Sequence, residues 1–114
     1  MELISRVKAL LRRTESEENK LLILDELRID HERHTVYVGE KLVELTFKEY
    51  ELLRLLVANV GVVMSRENIM IHVWGPDFEG ESRTVDMHIK TLRQKLGDMG
   101  ARIKTVRNVG YVIE

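Results

Sequence analysis

The stretch SRTVDMHIKTLRQKLG, residues 82–97, decides the fold of this 114-residue chain. Its apolar residues recur every three or four positions: Val85, Ile89, Leu92 and Leu96. This spacing predicts a helix from about Ser82 to Leu96 with one narrow buried stripe. Gly97 suits the position just after a helix, because glycine readily takes a positive φ.

The side of this helix opposite the apolar stripe carries long and polar residues. It shows Arg83, Met87, Lys90, Thr91 and Gln94, with His88, Arg93 and Lys95 on its flanks. Arg, Gln and Thr can hydrogen-bond to base edges, Met can touch a thymine methyl group, and Lys and Arg can reach phosphates. The face therefore suits a groove of duplex DNA, although the same pattern also fits a merely solvated helix face.

Basic charge is concentrated in and after this helix. The whole chain has 18 Lys and Arg against 19 Asp and Glu, a net charge of −1. Residues 82–108 hold seven bases and two acids, which gives +5 and leaves −6 for the remainder. A local basic footprint on a nearly neutral chain is typical of a nucleic-acid-binding surface.

The segment after the helix has the pattern of a β-hairpin. Branched residues alternate in 102–106 and 109–113, on either side of a turn at Arg107-Asn108. Asn tolerates the positive φ that such a turn requires. Arg107 is then placed near the tip of the hairpin.

Two further helices are predicted upstream. Thr46 and Glu49 form a capping box, and the helix they begin ends before Gly61. Ser65 suits the N-cap of a second helix, which ends before Pro76. Two helices, a basic third helix and a hairpin follow the order of a winged helix-turn-helix. In such a domain the third helix lies in the major groove, and the hairpin, or wing, can place an Arg in the minor groove.

Short runs of branched residues before the first helix predict four antiparallel strands. The runs are Leu21–Leu24, Leu27–Asp30, Thr35–Val38 and Lys41–Leu45. Gly39 is the first residue of a two-residue turn between the last two strands. The fold class is therefore α+β, with an N-terminal four-stranded antiparallel sheet, three helices and a C-terminal β-hairpin wing.

Residues 1–20 have a different character from the rest of the chain. Residues 2–13 have the pattern of a short amphipathic helix whose apolar stripe needs a partner surface. That surface could be this domain, a membrane, or a preceding domain of which the segment is the last helix; the third interpretation is favoured because residues 14–20 are polar and linker-like. The expected division is a remnant of a preceding domain's last helix at 1–13, a linker at 14–20 and a winged-helix domain at 21–114.

Composition limits the function classes. The chain has no cysteine, which excludes disulfides and cysteine-based metal or redox sites. It also lacks a long apolar stretch or a signal-peptide pattern. We expect a cytoplasmic protein of one domain that binds no membrane, metal or cofactor.

Many motifs in register resemble the effector domain of OmpR/PhoB-type response regulators. They are Leu45-Thr46, Phe47 to Leu53, Val73-Trp74-Gly75, Arg83-Thr84-Val85-Asp86, His88-Ile89, Leu92-Arg93, Lys95-Leu96, Thr105-Val106-Arg107 and Gly110-Tyr111. The resemblance covers residues 21–114, and Leu10 to Arg13 resemble the end of the receiver domain's last helix in that family.

The resemblance implies a DNA-binding transcriptional regulator. With the face described above, the expected DNA-contacting residues are Arg83, Thr84, Met87, His88, Lys90, Thr91, Arg93, Gln94, Lys95, Thr105 and Arg107. The loop before the third helix corresponds to a segment that some relatives offer to RNA polymerase, here with Asp77, Glu79 and Glu81. The other implied partners are a receiver domain and its sensor kinase. The resemblance also implies that the isolated domain is a monomer and that two copies bind double-stranded DNA as a tandem dimer. Two residues depart from the family pattern: Asn108 replaces a usual Gly, and Val112 replaces a common Arg.

Other interpretations of single residues are weaker. Phe47, Tyr50, Trp74 and Tyr111 are expected to pack in the core or against the wing rather than to stack on bases. His31 and His34 lack a third metal ligand, so solvated histidines are expected. An enzyme is disfavoured because no nucleophile or phosphate-loop motif accompanies Glu49, His72 and His88. A protein-interaction module is the more serious alternative, since some winged helices bind proteins.

Overall fold

The computed structural model describes residues 21–78, 80–81 and 83–114. The predicted receiver-helix remnant at 1–13 and the linker at 14–20 lie outside the described residues, as do Ser82 and Glu79. Every contact given below is between residues within the described ranges.

Four short strands form the predicted N-terminal sheet. They are β1 (Leu21–Leu24), β2 (Leu27–Asp30), β3 (Thr35–Val38) and β4 (Lys41–Val43), antiparallel and in sequence order. Because Val38 pairs with Lys41, residues 39 and 40 form the predicted two-residue turn. Gly39 takes a φ of +65° in this turn. β4 ends two residues earlier than predicted, because the chain leaves the sheet to place Thr46 at the start of the first helix.

Three helices follow, each with the predicted N- or C-terminal signal. α1 (Phe47–Ala58) begins with both hydrogen bonds of the Thr46–Glu49 capping box. α2 (Arg66–Val73) begins after Ser65, whose hydroxyl accepts from the Asn68 N–H at 3.0 Å. α3 (Arg83–Leu96) ends where Gly97 takes a φ of +64°.

A second sheet forms the predicted wing and contains one strand that the sequence did not indicate. β6 (Ile103–Val106) and β7 (Gly110–Ile113) are the hairpin, and β5 (Met64–Ser65) pairs with the other edge of β7. A two-residue strand is too short to show alternation. The 3-10 helix at Gly97–Arg102 was also not predicted.

The wing turn is one residue longer than predicted. Val106 pairs with Gly110, so the loop contains three residues, 107–109, rather than Arg107-Asn108 alone. The N–H of Val109 donates to the carbonyl of Val106 at 2.9 Å, and Asn108 takes a φ of +65° as expected. Positive φ at the third position of a hydrogen-bonded turn suits Asn, so its side chain replaces Gly without a steric conflict.

The core lies between the two sheets and is lined by all three helices. Its fully buried side chains include Ile29, Leu53, Ile69, Ile89, Leu92 and Ile113. Tyr50 and Tyr111 are buried and Trp74 is half-buried, as predicted. The prediction for Phe47 was wrong: its side chain is 61% exposed, because the first residue of α1 lies beyond the edge of the core, where it stacks on His34.

The two turn histidines have partners instead of only solvent. Nδ1 of His31 shares a hydrogen bond with the Tyr50 hydroxyl at 2.8 Å, and His34 stacks on the Tyr50 ring at 4.5 Å between centroids. Burial lowers the pKa of His31, and the charges of Arg54 and His34 act in the same direction. This pair therefore anchors the β2–β3 turn to α1.

Candidate nucleic-acid interface

α3 presents one buried and one exposed face, as the sequence predicted. Val85, Ile89, Leu92 and Leu96 are at most 3% exposed. The five residues predicted on the opposite side are all exposed, and four of them are here called the central ridge: Arg83, Met87, Lys90 and Gln94. The fifth is Thr91. Met87 is 64% exposed, which leaves its side chain available to a ligand.

The side chains of the central ridge are almost unengaged within the described part of the chain. Arg83 makes one ion pair with Glu81 at 3.8 Å, in which both side chains are 77% exposed. Such a pair contributes little to stability. Met87, Lys90 and Gln94 make no side-chain hydrogen bond or ion pair to another described residue. These donors and the thioether are free to meet a groove of DNA.

The flank of α3 that faces α1 is held by a buried carboxylate. Glu49, only 4% exposed, accepts from Lys95 Nζ at 2.7 Å and from the Thr91 hydroxyl at 2.6 Å. It also accepts from the Thr46 N–H at 2.9 Å. Burial by itself would raise the pKa of Glu49, but these hydrogen bonds and the Lys95 charge outweigh it and lower the pKa to about 2. We call Glu49, Thr91 and Lys95 the Glu49 clamp.

The opposite flank of α3 is tied to the wing. Arg93 donates from Nε and Nη2 to the carbonyl of Ile103, at 3.1 and 2.7 Å, and from Nη2 to the Thr105 hydroxyl at 2.9 Å. Its guanidinium also lies 5.7 Å from the centroid of the Tyr111 ring. Arg93 is thus half-buried at the base of the wing, while Lys90 is exposed on the central ridge.

A second carboxylate joins α2, α3 and β7. Asp86 on α3 accepts from Arg66 Nε at 2.8 Å and from the Tyr111 hydroxyl. Burial would raise the pKa of Asp86, but the hydrogen bonds from Arg66 and Tyr111 lower it below its usual value. Asp86 therefore stays ionised and joins α3 to both α2 and the wing.

His88 and Trp74 form the junction between α2 and α3. Nδ1 of His88 lies 2.9 Å from the Thr84 carbonyl, so Nδ1 carries the hydrogen in that contact. The Trp74 ring meets the His88 ring edge-on at 4.9 Å. Lys48 Nζ donates to the carbonyl of Val73 at 2.8 Å, at the C-terminal end of α2. Thr84 and His88 are half-buried at this junction.

The wing presents the predicted residues Thr105 and Arg107 to solvent, together with Lys104. Arg107 makes no side-chain hydrogen bond or ion pair with another described residue. Arg102 is engaged, because it pairs with Asp25 and donates to the main-chain carbonyl of Glu114. It therefore does not belong to the free basic surface.

The loop before α3 is exposed where it is described. Asp77 and Glu81 are exposed, and the Phe78 ring lies 5.9 Å from the Trp74 ring. Glu79, the third acidic residue of the predicted polymerase-contact loop, lies outside the described residues.

The structure adds four residues to the site that sequence patterns did not single out for it. They are Glu49, Arg66 and Asp86, which bond α3 to α1, α2 and β7, and Lys48, which bonds α1 to the end of α2. In the sequence, Glu49 stands out as the acid of a capping box and Asp86 as part of the family motif. Their second role depends on which elements pack together, which has no local signal.

Neither a membrane-spanning helix nor a metal-binding cluster is found among the described residues. None of the described helices is long and apolar enough to cross a membrane. Among the described residues, no three His, Asp or Glu side chains are grouped so that they could hold a metal ion.

Comparison with known proteins gives a consistent result. The family described as "Transcriptional regulatory protein, C terminal" matches residues 39–113. The heme response regulator HssR of Staphylococcus epidermidis is 40% identical over 115 residues, which covers 99% of this chain and 51% of that protein. The chain thus spans about half the length of the curated relatives it matches.

Solved structures share the fold. The DNA-binding domain of Klebsiella pneumoniae RstA, in complex with the RstA box, is 34% identical with a TM-score of 0.74, covering 82% of this chain and 96% of that one. Thermotoga maritima DrrB, an OmpR/PhoB homologue, is 35% identical with a TM-score of 0.76, covering 97% of this chain and 50% of that one. The chain therefore belongs to the OmpR/PhoB-type family of transcriptional regulatory proteins, as a DNA-binding output domain.

Proposed function

We propose that this domain recognises a specific duplex sequence with α3 in the major groove and Arg107 in the adjacent minor groove. The observation that carries the proposal is the central ridge, which is exposed while the opposite stripe is buried. Lys90 and Gln94 make no side-chain hydrogen bond or ion pair to another described residue, and Arg83 makes only an exposed ion pair with Glu81. Such donors can bond to base edges at little cost in protein contacts.

The predicted DNA-contacting residues have different tasks in this proposal. The central ridge reads bases, with Met87 placed to touch a thymine methyl group. Lys104 and Arg107 supply cations on the wing, where a narrow A·T-rich minor groove attracts positive charge. Thr84, His88, Arg93 and Thr105 border the ridge, and their phosphate contacts remain predictions.

The domain is proposed to be the output half of a longer two-component response regulator in the bacterial cytoplasm. Since relatives are about twice as long, a receiver domain and its sensor kinase are the proposed regulatory partners. Two copies would bind tandem half-sites, and a linked pair binds more tightly because the second contact occurs at a high effective concentration. The domain alone is proposed to be a monomer that binds weakly.

RNA polymerase is a further proposed partner. The exposed Asp77 and Glu81, with Glu79 of the same loop, could meet a basic surface of the polymerase. Charge reversal of the loop would then reduce transcription activation without reducing DNA affinity.

The test is to select bound duplexes from a random pool, first with the wild-type domain and then with the variants Lys90→Met and Gln94→Ala. We expect one recurring half-site, and we expect Gln94→Ala to relax preference at one or two base pairs. Each lost base contact should cost roughly 1–3 kcal/mol in discrimination. Fusing two copies should tighten binding to a tandem site. A pool that shows no enrichment would contradict DNA recognition and favour the protein-interaction alternative.

A further inference from the structure

Two residues predicted to contact DNA are held by a carboxylate from another helix. Thr91 and Lys95 lie one turn apart on the flank of α3 that faces α1. Both donate to Glu49, the Thr91 hydroxyl to one carboxylate oxygen at 2.6 Å and Lys95 Nζ to the other at 2.7 Å. The first turn of α1 therefore binds both groups.

The energetics favour keeping this arrangement when DNA approaches. Glu49 is 4% exposed, and the Lys95 side chain is 39% exposed. If Lys95 left for a phosphate, it would strand a buried carboxylate, which costs more than an exposed phosphate contact returns. Hydrogen bonds to an ionised group are also about twice as strong as neutral ones.

The Thr91 hydroxyl is limited in the same way. A hydroxyl has one proton, and here it lies within reach of Glu49 at 2.6 Å and of the His88 carbonyl at 3.1 Å. Both acceptors belong to the protein. Thr91 therefore has no hydroxyl proton left to donate to a base edge.

We propose that Glu49 is a positioning residue that withholds the Thr91 hydroxyl proton and the Lys95 ammonium group from DNA, so that hydrogen-bond donation from α3 to base edges falls to the central ridge. The inference deepens the proposed function and rests on it. It also removes one cation from the phosphate contacts that the basic charge count suggests.

The dependence of affinity on salt tests the assignment of Lys95. Each neutralised phosphate contributes about −0.9 to the slope of log affinity against log salt concentration. We expect Lys104→Met, on the exposed wing, to make the slope shallower by about 0.9, and the double variant Glu49→Gln/Lys95→Met to leave the wild-type slope unchanged. The double variant removes both charges of the pair together, so no buried ion is stranded. An equal loss of slope in both variants would overturn the proposal.

The single variant Glu49→Gln tests the release of the clamp. Without the carboxylate charge, Lys95 is free to move to a phosphate, and the slope should become steeper by up to about 0.9. Adding Lys95→Met should cancel this change. A slope identical to that of the wild type would overturn the claim that Glu49 withholds the ammonium group.

Base preference tests the assignment of Thr91. We expect Thr91→Val, which keeps the shape of the side chain, to leave the selected half-site unchanged, whereas Gln94→Ala alters it. The proposal would be overturned if Thr91→Val lost preference for a base pair that presents a hydrogen-bond acceptor at that position. Thermal unfolding of each variant confirms that it is folded at the assay temperature. If the wild-type domain enriches no sequence, the proposed function fails; if it does and Thr91 also reads a base, only this inference fails.

Discussion

The Tyr111 hydroxyl of β7 donates to Asp86 of α3, at the same oxygen that accepts from Arg66 Nε of α2. One carboxylate thus joins β7 of the wing to α2 and α3, the two helices of the helix-turn-helix. Because Asp86 lies in the first turn of α3, this contact links the orientation of the wing to that of the central ridge.

Tyr111→Phe should destabilise the domain by roughly 1–3 kcal/mol, because it removes a hydrogen bond to an ionised, partly buried acceptor. The free energy of unfolding measured in urea gives the value. Tyr37→Phe is the matched control, since the Tyr37 hydroxyl makes no hydrogen bond with another described residue. Equal destabilisation by the two substitutions would show that the hydrogen bond from Tyr111 to Asp86 does not contribute to the free energy of unfolding.

The sequence predicted most of the fold because the signals were local. The capping box at Thr46, the stop at Gly97 and the spacing of the α3 stripe all concern neighbours in the chain. Two-residue β5 and the three-residue wing loop were missed, since both are defined by pairing across the sheet. Phe47 was placed wrongly because apolar character does not reveal which side of a helix end meets the core.

The site was predicted less completely than the fold. Helical geometry identified the central ridge correctly as an exposed face. It could not show that Arg93 bonds to β6 or that Lys95 bonds to Glu49, because these partners are 10 and 46 residues away. Counting basic residues therefore overestimated the number of free cations.

The Glu49 clamp predicts a specific acid sensitivity. The pKa of Glu49 is about 2 in the folded domain, against an ordinary value of 4.5. Its stabilising effect is therefore present above about pH 4.5 and is lost as the pH falls toward 2. A pKa difference of this size corresponds to roughly 3 kcal/mol.

Glu49→Gln should remove that part of the pH dependence while lowering stability at neutral pH. Urea unfolding at several pH values between 7 and about 2 measures the free energy of unfolding of each variant. Glu44→Gln, at an exposed position, should lose stability in acid as the wild type does. The same pH dependence in wild type and Glu49→Gln would contradict the clamp.

Gly110 is required by the close approach of β5 to β7. A Cβ atom on residue 110 would lie 1.9 Å from the carbonyl oxygen of Met64, a backbone atom that cannot move without breaking the strand pair. Gly110→Ala should therefore cost roughly 3 kcal/mol or more, a value typical of backbone clashes in a core. Val109→Ala, at an exposed neighbouring position, should cost far less. Similar melting temperatures for the two variants would be incompatible with this packing.

Arg107 at the wing tip should contribute to affinity in a way that depends on sequence outside the major-groove half-site. Arg107→Ala should weaken binding most where the flank is A·T-rich, because the narrow minor groove concentrates negative potential. Affinities for one half-site with A·T-rich and G·C-rich flanks measure the difference. Lys104→Ala serves as the control for a wing cation away from the tip. An equal loss on both flanks would exclude minor-groove insertion.

The central claim is that exposed cations on α3 and the wing meet the phosphates of duplex DNA. The most direct test is the affinity of the wild-type domain for its selected duplex at a series of salt concentrations. At most four neutralised phosphates, one for each exposed cation at Arg83, Lys90, Lys104 and Arg107, predict a log–log slope of about −2 to −4 per protomer. A slope near zero would contradict the account.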